Sequence, residues 1–347
     1  MKFHFPSKFP INFPPVANSY FRQISTQITI TPKVVEAMYK SSQAQSSNLL
    51  PNSQQIKNHH KILKELYKEN PEFRIIANNL FKNFNNPNVK SIAFCFPQQP
   101  NLNPELSIFW KPVLVATALF SGIGIEPYIN NQGFPIFAEV DKKNIAPILG
   151  HQDSMFRDPN DKDPSLINFL ILVNGFSQSD AVTWFKESVD ILNELKHKHP
   201  TSHKMLKDIN VVARSRDPNE IGQRVPFKII GDNDEINFVS SFVYTPSPID
   251  LDRCGASKER MNLAILDLIK VANSESNRHE FVLNQQGAQI LFLKNMLGLH
   301  GRGSVEENQK NLRRIIGIPL NYPHPSPSIQ ALNSVDRVSM ESKDKLK

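Results

Sequence analysis

Cysteine is nearly missing from this chain. Cys95 and Cys254 are the only two, too few for a disulfide framework or for a zinc site built on thiolates. A reducing compartment is therefore the expectation. No apolar leader follows the basic residue at Lys2, so the expected location is the cytoplasm. Long apolar runs are missing too. The longest, Pro112 to Ile125, falls short of the roughly 20 residues that span a bilayer. It reads as a buried core helix, and no membrane partner is expected. Basic runs interleaved with aromatics are also lacking. The formal charge of +7 comes from scattered lysines and arginines, so nucleic acid is not the expected partner. A basic enzyme with an anionic co-substrate explains the charge as well. Glycine is scarce at 13 and proline plentiful at 26, with many of the prolines near the two ends.

What remains is an ordinary globular composition, 39% hydrophobic and 21% charged over 347 residues, enough to bury a sizeable core. Residues 1–35 are rich in Phe and Pro. They read as an extended arm packed on a domain surface, with a partner-docking peptide as the alternative. Residues 40–55 are a Ser/Gln/Asn linker. Helical spacing runs over 55–83, broken at Pro71. His59 and His60 lie in the first helix about 100° apart, a poor chelate on an expected exposed face. Short β-like pieces follow: Ser91–Phe96, then 127–129 and 134–140 around an Asn130–Gly133 turn. Ser165–Val173 is a strand, and Ala181–Leu195 reads as a helix starting near Asp180. Segments 225–230 and 238–244, then Phe281–Leu283, Gln289–Leu293 and Leu312–Pro319, read as further strands, with a helix over Met261–Ala272. There is no βαβ rhythm. The expectation is a mainly β fold, an antiparallel double-sheet barrel with flanking helices. Its bounds are 89–322, after an arm and N-terminal helices in 1–88 and before a disordered tail in 323–347.

The chemistry-bearing stretch is Gly150-His151-Gln152-Asp153. On an extended segment, side chains at i and i+2 share a face, so His151 and Asp153 can grip one ion. A second histidine from elsewhere completes three ligands on one side of a metal. That two-His-one-carboxylate set suits non-haem Fe(II), because the opposite side stays open for a co-substrate and O2. His300, in Leu299-His300-Gly301-Arg302, is the candidate third ligand. Arg314 follows it with room for a turn and a return strand. His197-x-His199 is a competing pair, but it sits among lysines before Pro200 and reads more simply as a solvated helix end. Taken singly, His151 reads as a satisfied core histidine, Asp153 as a turn cap, His300 as a loop residue and Arg314 as a surface charge. An apolar strand around Arg314 argues for a buried anionic partner.

As an ordered set, these segments together with Gly287–Asn295 and Arg313-Arg314-Ile315-Ile316 resemble the Fe(II)/2-oxoglutarate dioxygenases. Within them the chain looks most like the taurine dioxygenase and clavaminate synthase group, over about residues 90–320. The resemblance implies a double-stranded β-helix (jelly-roll) core. It implies His151, Asp153 and His300 as catalytic Fe(II) ligands, with Arg314 holding the distal carboxylate of 2-oxoglutarate and Thr183 assisting. A guanidinium fork suits that carboxylate. It also moves the start of the helix near Asp180 to a point after Thr183. Arg302, Asn131 and Gln132 are implied as residues facing substrate or supporting the site. Ala288 and Lys294 depart from the family pattern.

The activity implied is hydroxylation, or desaturation, of a small polar molecule, a free amino acid or a derivative. Succinate and CO2 are released. Fe(II), 2-oxoglutarate and O2 are the cofactor and co-substrates. Two readings stand beside it: a non-catalytic jelly-roll protein that binds a ligand or partner, and a metal-dependent hydrolase using the same His/Asp/His site. Neither needs Arg314.

Overall fold

In the computed structural model the described residues are 26–29, 31, 33–34, 37, 52–84, 86, 88–95, 117–119, 121, 125–127, 138–139, 146–152, 169–174, 182–215, 226–240, 242–282, 289–304 and 315–321. The Phe/Pro-rich arm before residue 26, the turn at 130–133, Asp153, Arg314, Asn131, Gln132 and the tail lie outside them.

Two helices come first. Helix α1, Ser53–Glu69, opens with a capping box: the Asn52 side chain accepts from the Gln55 N–H, and the Gln55 side chain accepts from the Asn52 N–H. Helix α2, Pro71–Phe84, starts at the expected break, with the Asn70 side chain accepting from the Phe73 N–H at 3.0 Å. His59, expected on an exposed face, is buried at 2% exposure, and burial pulls its pKa down to about 4. The reason is spacing: Ile56, His59 and Leu63 fall three and four residues apart and form the inner stripe of α1.

The strands form three sheets among the described residues. The largest carries β1 (Thr26–Thr29), β2 (Ser91–Cys95), β12 (Gln289–Leu293), β6 (Phe169–Asn174), β14 (Ile315–Asn321) and β3 (Glu126–Pro127) in that spatial order, with β4 (Ala138–Glu139) also on β14. All its pairs are antiparallel except β1 with β2, which is parallel. The second sheet runs β11 (His279–Val282), β7 (Val182–Glu187), β13 (Gly298–Arg302), β5 (Ile148–His151). A third, smaller sheet runs β10 (Phe242–Pro246), β8 (Asn210–Ser215), β9 (Phe227–Lys228). Apart from the β1–β2 pair the sheets are antiparallel, with helices at their sides, as the strand pattern suggested. Of the core helix expected over Pro112 to Ile125, the described residues 117–119 and 121 are helical and Ile125 is not.

One expectation is corrected. Residues 182–187 are strand, and the helix, α3 (Ser188–Lys198), begins only after them. Val-Thr-Trp-Phe is β-branched and aromatic, and β7 is central, paired to both β11 and β13. Sheet pairing on two edges outweighs a helical apolar period.

Helix α4 (Pro200–Asp208), α5 (Pro248–Arg253) and α6 (Lys258–Ala272) complete the framework. Strand alternation divides β7 and β13 into two faces. Phe185 and Phe281 pack with Leu291 and Leu293 of the large sheet, so this is the inner face, between the sheets. Each such buried side chain contributes roughly 1.5–3 kcal/mol. Leu299 on the other face joins the cluster of α3, α4, α6 and the small sheet. On the far side of β12, Phe292 meets Phe84 of α2 at 5.7 Å between ring centroids. The Lys294 ammonium, whose pKa burial and the nearby Lys90 pull down to about 8, donates to the Asn86 carbonyl.

Candidate active site between the sheets

β13 lies between β7 and β5. His300 is the register partner of His151 on one side and of Phe185 on the other. The two imidazoles sit side by side, ring centroids 4.4 Å apart. His300 is 5% exposed. The register between β13 and β5 shifts between His300 and Arg302, where Arg302 pairs with Ile148. Two residues of β5, Leu149 and Gly150, thus oppose Gly301 alone. Such bulges bend a strand and re-aim a side chain. Here the strand turns so that the His151 Nδ1 reaches the Leu149 carbonyl at 2.8 Å. A carbonyl only accepts, so Nδ1 carries a proton, and in the neutral ring Nε2 then keeps its lone pair. This is the usual arrangement of a metal-ligating histidine, whose second nitrogen donates to a carbonyl or carboxylate.

Two residues beyond His300, and so about 7 Å along the strand, Arg302 shares its face. Arg302 pairs in register with Thr183 of β7, and both are 3% exposed. The Arg302 guanidinium donates to the carbonyls of Ala146 and Gly303, each at 2.9 Å. One of these bonds ties the segment before β5 to β13. Of the residues singled out from sequence, His151, His300, Thr183 and Arg302 thus meet on one sheet. Asp153, Arg314, Asn131 and Gln132 are outside the described residues. The described residues hold no group of three His, Cys, Asp or Glu side chains placed to bind a metal ion. His197 and His199 stand at the α3–α4 junction, where His199 ends one helix and precedes the next. Its Nδ1 lies 3.4 Å from the Asp267 carboxylate.

The other face supplies the support, and this was not read from sequence. Trp184 lies beneath both histidine strands: a Cβ on Gly150 would meet its ring at 2.8 Å, and one on Gly301 at 2.4 Å. Glycine next to each histidine is a requirement of that floor. Arg278 stacks on the Trp184 ring, its guanidinium carbon 4.5 Å from the centroid. Lys186, fully buried on the same face, binds Glu194 at 2.7 Å, the Val271 carbonyl at 2.8 Å and the Ser274 hydroxyl at 2.8 Å. The one legible signal was that two of the few glycines each flank a candidate histidine.

No family model matches the chain, and no curated protein matches it. Solved structures do. One is an asparagine oxygenase in complex with Fe(II), 2S,3S-3-hydroxyasparagine and succinate, at a TM-score of 0.56 and 12% identity, covering 84% of this chain and 92% of that one. The non-heme iron oxygenase OrfP, in complex with Fe and alpha-ketoglutaric acid, matches at 0.56 and 15% identity over 85% of this chain and 93% of its own. The same oxygenase with Fe and L-Arg matches at 0.52 and 13%, over 88% and 98%. The chain has the fold of the non-heme iron oxygenases. At these identities the likeness is one of fold, and it agrees with the resemblance read from the motifs. Among the described residues, no helix is long and apolar enough to cross a membrane.

Proposed function

We propose that this chain is an Fe(II)- and 2-oxoglutarate-dependent oxygenase that hydroxylates a free amino acid or a close derivative, on a jelly-roll core spanning residues 89–322. The observation that carries this reading is the His151–His300 pair: adjacent imidazoles on the inner face, with the His151 Nδ1 committed to the Leu149 carbonyl. That commitment leaves Nε2 as the ligand atom, which fits an imidazole-binding metal. Asp153, one residue past Gln152, supplies the carboxylate that completes the two-His-one-carboxylate set suited to Fe(II).

When bound, the iron supplies O2 activation coupled to oxidative decarboxylation of 2-oxoglutarate, giving succinate, CO2 and an oxidised substrate carbon. The chain supplies position and dryness. Arg314 holds the distal carboxylate of 2-oxoglutarate through a planar fork, and Thr183 donates its hydroxyl to the same carboxylate. Arg302, two residues from His300, straps the approach to β5 onto β13. The buried inner face excludes water, which strengthens each of these polar contacts. The fold shared with oxygenases bound to hydroxyasparagine and to L-Arg supports an amino acid as the substrate class.

The test is an anaerobic titration of metal-free protein with Fe(II) and then 2-oxoglutarate, watching for the weak visible charge-transfer band of the chelate. The band is expected to form, and to be lost in His151→Ala and weakened in Arg314→Ala. Fe(II) binding without a band refutes the oxygenase reading. With the band in hand, a panel of amino acids is screened for succinate release.

A further inference from the structure

Among the described residues, β5 is the last strand of its sheet and pairs with β13 alone. The hydrogen-bonding groups on its outer edge therefore need other partners, or water. They find them in side chains and in one short segment. The Gly150 N–H donates to the Asn273 Oδ1 at 3.1 Å, and Asn273 is itself fixed at the end of α6 by its Nδ2 donating to the Ile269 carbonyl at 2.8 Å. The Gln152 N–H donates to the Phe238 carbonyl at 3.0 Å, and the Gln152 Oε1 accepts from the Phe238 N–H at 3.3 Å. This two-point pairing imitates one rung of a ladder, with a side-chain amide in place of a strand. The Ser240 hydroxyl then donates at 3.3 Å to the Leu149 carbonyl, the same oxygen that accepts from the His151 Nδ1.

We infer that Gln152 is a positioning residue: through Phe238 it locks the strand end that carries His151, and with Ser240 it fixes the His151 imidazole in one tautomer and one orientation. This rests on the iron reading above. Three features argue that the brace is rigid. Gln152 and Phe238 are buried, at 0% and 1% exposure. The Phe238 ring is stacked on Tyr244, centroids 5.4 Å apart and 12° from parallel. The Tyr244 hydroxyl closes on the intervening residue, accepting from the Val239 N–H at 2.7 Å and donating to the Val239 carbonyl at 3.0 Å. Gln152 follows His151 directly and precedes Asp153 in the sequence, so any rotation of the backbone there turns the His151 side chain with it. The small sheet thus acts on the site without touching it. Partners that orient metal ligands from behind typically matter by 10- to 100-fold in metal affinity.

Two measurements test this. The first is the tautomer of His151 in the metal-free protein, by nitrogen-15 NMR of the imidazoles. The parent is expected to show the proton held on Nδ1. Gln152→Met, nearly isosteric but unable to accept from Phe238, is expected to show a mixture. The second is Fe(II) affinity, expected to fall about 10-fold or more in Gln152→Met and less in Ser240→Ala. Ser240→Thr keeps the hydroxyl and is expected to restore the parent value. A parent tautomer and parent affinity in Gln152→Met overturn the inference while leaving the iron reading intact. A parent that binds no Fe(II) overturns the iron reading, and the tautomer measurement still decides the brace. If Gln152→Met does not fold, Ser240→Ala decides: an unchanged tautomer and affinity there overturn the inference.

Discussion

Gly301→Ala is the sharpest test of the site's floor. The added methyl would lie 2.4 Å and 2.7 Å from two atoms of the Trp184 ring and 2.6 Å from the Ile148 carbonyl oxygen. None of these can yield cheaply. Trp184 is 2% exposed and covered by Arg278, and the Ile148 oxygen belongs to the neighbouring strand backbone. Ordinary contact begins near 3.4 Å, so β13 must move by roughly 1 Å relative to β5 or β7. Removing a glycine from a strand stabilises by about 0.4–1 kcal/mol where the space exists. Overpacking a closed site costs about 1–3 kcal/mol, sometimes more. The clash wins, and a net loss of about 1–3 kcal/mol is expected. The displacement falls next to His300, and metal ligation tolerates only about 0.5 Å of misplacement. Fe(II) affinity should therefore fall as well. Gly303→Ala is the internal control, because its methyl would meet nothing closer than the Val182 backbone at 3.7 Å. It is expected to stay within about 0.5 kcal/mol of the parent. Urea unfolding followed by tryptophan fluorescence measures both. If Gly301→Ala is as stable as Gly303→Ala and binds Fe(II) equally well, the Trp184 floor does not constrain the site.

Three further outcomes are expected. Lys186→Met removes one partner of a buried ion pair and strands the Val271 carbonyl and the Ser274 hydroxyl. It should cost about 3–5 kcal/mol in chemical denaturation, although Lys198 still holds Glu194 at 2.6 Å; a loss below about 1 kcal/mol contradicts the role given to this network. His59 has a folded pKa of about 4 against an ordinary 6.5 because burial disfavours its charge. The unfolded chain therefore binds the proton first, so stability is full above pH 6.5 and declines as pH falls toward 4, by at most about 3 kcal/mol. His59→Leu should flatten the stability profile in that window, and an unchanged slope would assign the acid sensitivity elsewhere. Fe(II) at about 100 times its dissociation constant should stabilise the folded chain by about 2.7 kcal/mol. Removing it with a chelator should reverse the gain, and His300→Ala should abolish it; a thermal midpoint indifferent to Fe(II) argues against the site.

Much of the fold was legible because its signals are local. Pro71 after Asn70 marks a helix boundary by chemistry confined to a few residues, whereas the cap formed by Asn52 with Gln55 lies in the stretch read as linker, so α1 starts at Ser53, inside it. Ser91–Cys95 and Gln289–Leu293 are apolar and strand-length, and both are strands. Val182–Glu187 was misread because its strand character depends on partners roughly 100 residues further along, β11 and β13, which a local period does not carry. The histidine pair was reachable from spacing and motif order. Trp184, Asn273 and the Phe238–Ser240 segment were not: each acts on His151 or His300 from another element, through a contact with no signature in sequence.

The division of labour across β7 and β13 follows from alternation alone. Thr183, Phe185, His300 and Arg302 face inward. Trp184, Lys186, Leu299 and Gly301 face the helices and the small sheet. On β5, His151 turns inward, while Gly150 and Gln152 are held from outside. The chemistry and its support are therefore interleaved residue by residue, and a slip of one position would exchange them completely. That explains why the outer face is so heavily pinned. A fully buried lysine and a tryptophan under two glycines fix the register of β7, and an amide ladder rung fixes the end of β5. None of the three would be needed for a sheet whose two faces were equivalent. Among the described strands of this sheet, the bulge opposite Gly301 is where strict alternation breaks, and it falls where His151 turns back to hydrogen-bond its own strand. An insertion of one residue at the start of β13 should therefore abolish Fe(II) binding even if the sheet re-forms, because the inward set would then be Leu299 and Gly301 in place of His300 and Arg302.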